Sequence, residues 1–214
     1  MELNYVKRNT ATVFSDLSNI IHLENCQNYI PLYNRFFDLN ATNYNSIELN
    51  HTHHIDRITE KKTENVYTCT ISGESVDCFF KFSPLIEPVK YMIGKFTETD
   101  KYIVNLPKLE DTLDTSNSNI QSSDKIVLDT NNIPYIDGFF SFLSSKISEN
   151  EPTFLNGVKY YGSYLGIKKN YKINVFDDID YLIESEYFKD NINKLYVIDE
   201  NTYGDLTLFH SRNN

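Results

Sequence analysis

Tryptophan is absent from the 214 residues, methionine occurs twice, and glycine only seven times. Without Trp the core has to come from Phe, Ile and Leu, with the 16 Tyr placed at its rim where the hydroxyl reaches water. Cysteine is scarce too: Cys26, Cys69 and Cys78 are odd in number and irregularly spaced, which argues for reduced, buried thiols and against a disulfide framework. No Cys pair has the spacing of a zinc site, so no metal is expected. Cations are outnumbered, 20 Lys and Arg against 30 Asp and Glu, for a net charge of -10. That balance argues against a nucleic-acid partner, since phosphate backbones are bound by clustered Lys and Arg. No apolar run approaches the roughly 18 residues that cross a bilayer, and MELNYVKRNT lacks the apolar centre of a secretory signal. The chain reads as cytosolic with no membrane span. What remains is sufficient for folding: 40% hydrophobic residues can bury the core of one large domain or two small ones.

Two polar stretches divide the chain, residues 51–65 and residues 109–125. The second is so poor in apolar residues that it reads as a mobile surface insertion. Before the first stretch, Val13, Phe14, Leu17, Ile20 and Ile21 recur at helical spacing, and Pro31 opens an expected second helix carrying Leu32, Phe36 and Leu39. VYTCTI (66–71) and SVDCFFKF (75–82) flank Ser72-Gly73-Glu74 and predict a β-hairpin. Alternation in its second strand puts Val76, Cys78, Phe80 and Phe82 on one face, and Asp77, Phe79 and Lys81 on the other. A short helix with Val89, Met92 and Ile93 ends at Gly94, and KYIVNL (101–106) is expected as a strand. IDGFFSFLSSKISEN (136–150) is the strongest helix, with Asp137 as cap, Phe139, Phe140, Leu143 and Ile147 as its core stripe, and Pro152 as its stop. A second hairpin is expected across Lys168-Lys169-Asn170, then a helix from the acidic turn Asp177, Asp178, Asp180, then strands at KLYVID (194–199) and DLTLFH (205–210). The sum is α+β with antiparallel pairing.

Several residues have a plain reading. His51, His53 and His54 lie in a polar loop without metal spacing, the three aspartates suit a helix start, and Ser163 lacks the context of a hydrolase nucleophile.

A resemblance enters between residues 66 and 180. A hairpin with Lys in its second strand, a helix and two further strands is the order of a protein-kinase small lobe. CFFKF resembles the kinase strand whose Lys contacts ATP phosphates, with Lys81 at the matching position. FLNGVKYYG (154–162) resembles the helix-to-strand junction commonly written HPNIVKLYG, and YKINVFDDIDYL resembles the strand leading to the adenine hinge. CFFKFSPLIEPVKYMIGKF, YIDGFFSFLSSKI and YYGSYLGIKKNYKINVFDDIDYL look like the N-terminal region of an uncharacterised kinase-like family of nucleocytoplasmic large DNA viruses. The Asn-, Ile-, Tyr- and Lys-rich composition, which suggests A/T-rich coding, suits such a source.

The resemblance implies an antiparallel sheet spanning residues 66–107 and 133–180 and flanked by the 136–150 helix. It implies a small-lobe-like domain over 63–214, preceded by a helical extension and polar linker over 1–62. It also implies ATP as cofactor with Lys81 as its contact, a second lobe or a protein partner, and a location in the host cytoplasm or the virion. The departures bear on activity. ISGES has one glycine where a kinase phosphate loop has three, Ser144 and Ser145 stand near the place of the helix Glu, and neither a catalytic-loop motif nor a DFG-like motif occurs in these residues. No phosphoryl transfer is expected from this chain alone. The competing reading is a noncatalytic structural or interaction protein, a virion or minor capsid-associated component.

Overall fold

A computed structural model describes residues 3–96, 103–113, 122–151 and 153–199. They form a mixed α+β structure with small antiparallel sheets. The chain divides into two units, residues 1–85 with 98–171, and residues 86–97 with 172–214.

The first unit begins with β1 (Tyr5–Lys7), α1 (Ala11–Asp16) and a wider helical turn, Leu17–Ile21. Val13, Leu17 and Ile21 are the buried apolar positions of this helical segment, at the expected spacing. There follow β2 (Leu23–Gln27) and β3 (Ile47–Leu49). Pro31 opens only a 3-10 turn to Arg35, not a full helix carrying Phe36 and Leu39. β4 (Arg57–Lys61), β5 (Val66–Ile71) and β6 (Glu74–Phe79) make a three-stranded meander. The β5–β6 turn holds Ser72 and Gly73 at φ 51 and 83, the two left-handed positions of a tight hairpin. Pairing runs unbroken from Val66↔Phe79 to Ile71↔Glu74. Tyr67, Cys69, Ile71 and Cys78 point into a core shared with Val13, Leu17, Ile21 and Ile58.

The expected single sheet is not what forms. β7 (Leu165–Lys168) pairs antiparallel with β2, Leu23↔Lys168 and Gln27↔Leu165, in a sheet of its own. β1 pairs with β3 in another. Residues 171–175 are not a strand, so the hairpin across Lys168-Lys169-Asn170 is absent. Gly166 explains part of the choice: a Cβ there would run into the Leu23 side chain, so this side chain packs on β7 only because the position is glycine. β4 lies inside the stretch expected as linker, and the β2–β7 pair links residues on both sides of the expected boundary at 62. Ile103–Leu106 form irregular turns in place of the expected strand, whose first two residues are outside the described set. Within 109–125, helices α3 (Leu109–Leu113) and α4 (Ser122–Leu128, running past the stretch) are formed, with Leu109 and Val127 buried.

α5 runs Ile133–Asn150, starting earlier than expected, after Asn132 and with Pro134 in its first turn. Asn132 donates to the carbonyls of Leu85 and Ile126, which fixes the entry. Asp137 is therefore inside the helix and is not its cap. Tyr135 and Phe142 are buried and Phe139 partly so, whereas Phe140 is 66% exposed and Ile147 43%, so the buried stripe is rotated from the expected one. Pro152 lies outside the described residues.

The second unit contains α2 (Pro88–Met92), α6 (Ile179–Ile183) and α7 (Glu186–Asn191). Gly94 ends α2 at φ 77, with the Tyr187 ring where a Cβ would point. Met92, Val175, Leu182 and Phe188 form its core. Asp177, Asp178 and Asp180 occupy the first turns leading into α6, as helix-start carboxylates. Tyr196 stacks on Phe188 at 5.1 Å and donates to its carbonyl at 2.8 Å; burial raises its hydroxyl pKa to about 12. In 194–199 there is one bridge, Ile192↔Tyr196, in place of a strand, and 205–210 lies outside the described residues.

Candidate ligand site

Lys81 follows β6 by two residues, and the alternation holds: Cys78 is inside, Phe79 and Lys81 outside. Its ammonium meets the Asp137 carboxylate of α5 at 2.6 Å, with the side chains 64% and 41% exposed. In water such a pair adds little to stability; its consequence is positional, holding the lysine against the helix. Sequence reading assigned Asp137 to the cap and found no acidic partner for Lys81. The signal was there, since Asp137 is the first acid of the longest helix. Ser144 and Ser145 are buried instead, and Ser145 Oγ accepts the backbone N–H of Tyr160 at 3.1 Å.

The pair borders a cavity of about 680 Å³ in the first unit, within the roughly 300–1,000 Å³ of small-molecule sites. Its rim carries Lys81, Asp77, Asp137 and Lys159, and its aromatic lining includes Phe80, Phe82, Tyr161 and Tyr164. The floor is made by residues with little exposure: Leu17, Ile30, Tyr33, Ile55, Cys78 and Tyr160.

The floor is not wholly apolar. Tyr33, Tyr160 and Ser163 bring hydroxyls to the lining. Tyr164 donates to Glu48 Oε1 at 2.9 Å, and Arg8 pairs with the other Glu48 oxygen. Glu48 comes from β3 and is 4% exposed, so its charge is held by these two donors. Burial, reinforced by the Glu48 charge, raises the pKa of all three tyrosines and keeps them protonated. The YYGSY turn that presents Tyr160 and Tyr164 needs Gly162: its φ is 138, and a Cβ would meet the Tyr164 hydroxyl at 2.9 Å.

His51, expected in a polar loop, is buried at 4% exposure. Its Nδ1 faces the Leu49 carbonyl at 2.5 Å, its ring meets Tyr160 edge-on at 5.0 Å, and Nε2 has no hydrogen-bond partner. Burial lowers its pKa, opposed by the nearby Leu49 carbonyl, Glu48 and the Tyr161 backbone. Among the described residues no group of three His, Cys, Asp or Glu could hold a metal ion, and no helix is long and apolar enough to cross a membrane. Cys69 and Cys78 are free, buried and adjacent in the hairpin core, where desolvation raises both thiol pKa values.

Comparison of the chain with protein-family models, with curated proteins and with solved structures finds no match in any of the three.

Proposed function

We propose that this chain is the N-terminal part of a kinase-like protein of a large DNA virus, and that its cavity holds a phosphorylated ligand, ATP first among them, with Lys81 meeting the phosphate. The observation that carries the reading is the 2.6 Å ion pair between Lys81, just beyond the hairpin, and Asp137 on the following long helix. Kinase chemistry uses such a strand-lysine to helix-carboxylate pair to aim the ammonium at phosphate. The residues fit a nucleotide in cavity size and in one held cation. They do not fit a flexible phosphate loop, because the hairpin turn has a single glycine, Gly73. Bound ATP would supply a transferable phosphoryl group; the residues in hand bind and orient it. A second lobe or a protein partner completes any transfer.

The second reading is a noncatalytic interaction protein of the virion or the host cytoplasm. The separation of the strands into three small sheets favours it, since a kinase-like small lobe implies one.

Calorimetric titration with ATP, with and without magnesium, separates the two. The expected outcome is measurable binding that Lys81→Ala weakens by roughly tenfold or more, the worth of a charge-assisted hydrogen bond. Binding that is absent, or indifferent to Lys81→Ala, overturns the nucleotide reading in favour of the noncatalytic one.

A further inference from the structure

We propose that the chain pairs with a second copy of itself through the outward face of α5, the two helices lying antiparallel about a two-fold axis at Phe140. The pairing stands apart from the cavity and from Lys81, so it holds or fails independently of the nucleotide reading.

Spacing and exposure carry the argument. Ile133, Ile136, Phe140, Leu143 and Ile147 follow at steps of three, four, three and four, which on a helix is one narrow stripe about 21 Å long. The stripe is turned away from Tyr135 and Phe142, the buried rings of the same helix. Leu143 is partly covered, whereas Ile133 is 81% exposed and Ile136, Phe140 and Ile147 also stand in solvent. Apolar surface continues on both sides. Phe36 stacks on Phe139 at 4.8 Å, and Phe154 and Leu155 leave α5 in a loop whose Phe154 carbonyl accepts from Ser148 Oγ at 3.0 Å. All three of these flanking side chains, Phe36, Phe154 and Leu155, are exposed.

Charge, area and symmetry name the occupant. Asp137, Lys146 and Glu149 are the charged residues of α5; Asp137 is paired with Lys81, and Lys146 with Glu149 at 3.0 Å. Two copies that each carry -10 repel where unpaired charges meet, and the stripe itself carries none. Taking roughly 150–250 Å² for a whole large apolar side chain, the exposed fractions of the stripe and its flanks come to on the order of 700–800 Å² per copy. That exceeds the largest apolar patch of an ordinary monomer and matches what each partner of a stable pair buries. A stripe with members seven residues to either side of Phe140 also fits its own reverse. A two-fold axis there sets Ile133 against Ile147 of the second copy, Ile136 against Leu143, and Phe140 against Phe140. The antiparallel sense places the two helix dipoles in opposition, which is the favourable arrangement.

Sedimentation equilibrium of the whole chain tests this, with thermal unfolding checking that each variant is folded. The wild type is expected at twice the 25.0 kDa of one copy at micromolar concentration. Phe140→Glu should raise the dissociation constant of the dimer by roughly a hundredfold or more, because symmetry removes a central anchor from both sides. Phe140→Ala, expected to shift it less, serves if Phe140→Glu fails to fold. Ile133→Lys and Ile147→Glu should each weaken pairing, and an equimolar mixture of the two should pair better than either alone, since the opposite charges meet only when the helices are antiparallel. A wild type that stays monomeric, a dimer indifferent to substitution at Phe140, or a mixture that pairs no better than its components overturns the inference.

Discussion

Two segments of the chain look alike in sequence and end differently. Residues 66–79 and 160–175 are both aromatic and β-branched runs around a turn with a left-handed residue, Gly73 in one and Asn170 in the other. The first closes on itself as β5 and β6. The second does not: its strand β7 leaves its neighbour and pairs with β2 from the start of the chain. The difference lies in the turn and in what lies beside it. Ser72 and Gly73 provide two consecutive left-handed positions, which match the twist of paired strands. Around Lys169 and Asn170 only one such residue is present, and Gly166 leaves room on β7 for the Leu23 side chain instead. A hairpin is thus settled by a few adjacent residues, whereas β7 is settled by a distant one.

The contrast can be broken from either side. The largest effect is expected where the meander is tied to the rest of the unit. Buried Asp16 accepts from Arg57 at 2.8 Å and from the Ile58 backbone N–H at 3.0 Å, beside the register shift in β4. Asp16→Ala should cost about 2–3 kcal/mol, the loss of charge-assisted bonds at a buried position, read as a lower denaturant midpoint.

On the long-range side, Gly166→Val forces Leu23 aside and should cost about 1–3 kcal/mol as overpacking. Hydrogen exchange would show β2 and β7 opening first while β5 and β6 stay protected; loss of both sheets together would mean that they fold as one.

On the local side, Gly73→Ala has open space around the new methyl, so its cost is backbone strain alone, about 1 kcal/mol. A cost as large as that of Gly166→Val would break the contrast.

The smallest effect is a pH dependence at His51, which abuts Tyr160 in the long-range part of the core. Its folded pKa lies below the ordinary 6.5, so the unfolded chain takes up its proton first. Its contribution is fully present above pH 6.5 and is lost as the pH falls from there to the lowered folded value. Denaturation of the wild type between pH 7.5 and 5.5 should therefore lose more stability than that of His51→Gln; an equal loss in the two would show that His51 is not the group responsible.

The site was legible in the same uneven way. Lys81 was placed from strand alternation alone, and it does point outward beside the cavity. Its partner Asp137 was misread because the helix begins three residues before its expected start, which moves that carboxylate from the cap to the second turn. The shared place of Tyr33, Tyr160 and Ser163 in the cavity lining had no sequence signal, since they come from a 3-10 turn and from the loop after α5. His51 was hidden because the residues that follow it in sequence are polar, while the ring that covers it, Tyr160, comes from far along the chain.

By itself the sequence determined what short-range chemistry determines: the hairpin at Gly73, the stop of α2 at Gly94, the periodicity of α1 and α5, and the outward face of Lys81. Periodicity and turn residues act over a few positions, and those positions are adjacent in the chain. Only the tertiary structure decided which strand β7 would join, which of two apolar faces of α5 would be buried, and which hydroxyls would share the cavity floor. Each of these is a choice among distant partners, settled by close packing and by the cost of leaving a buried polar group unpaired.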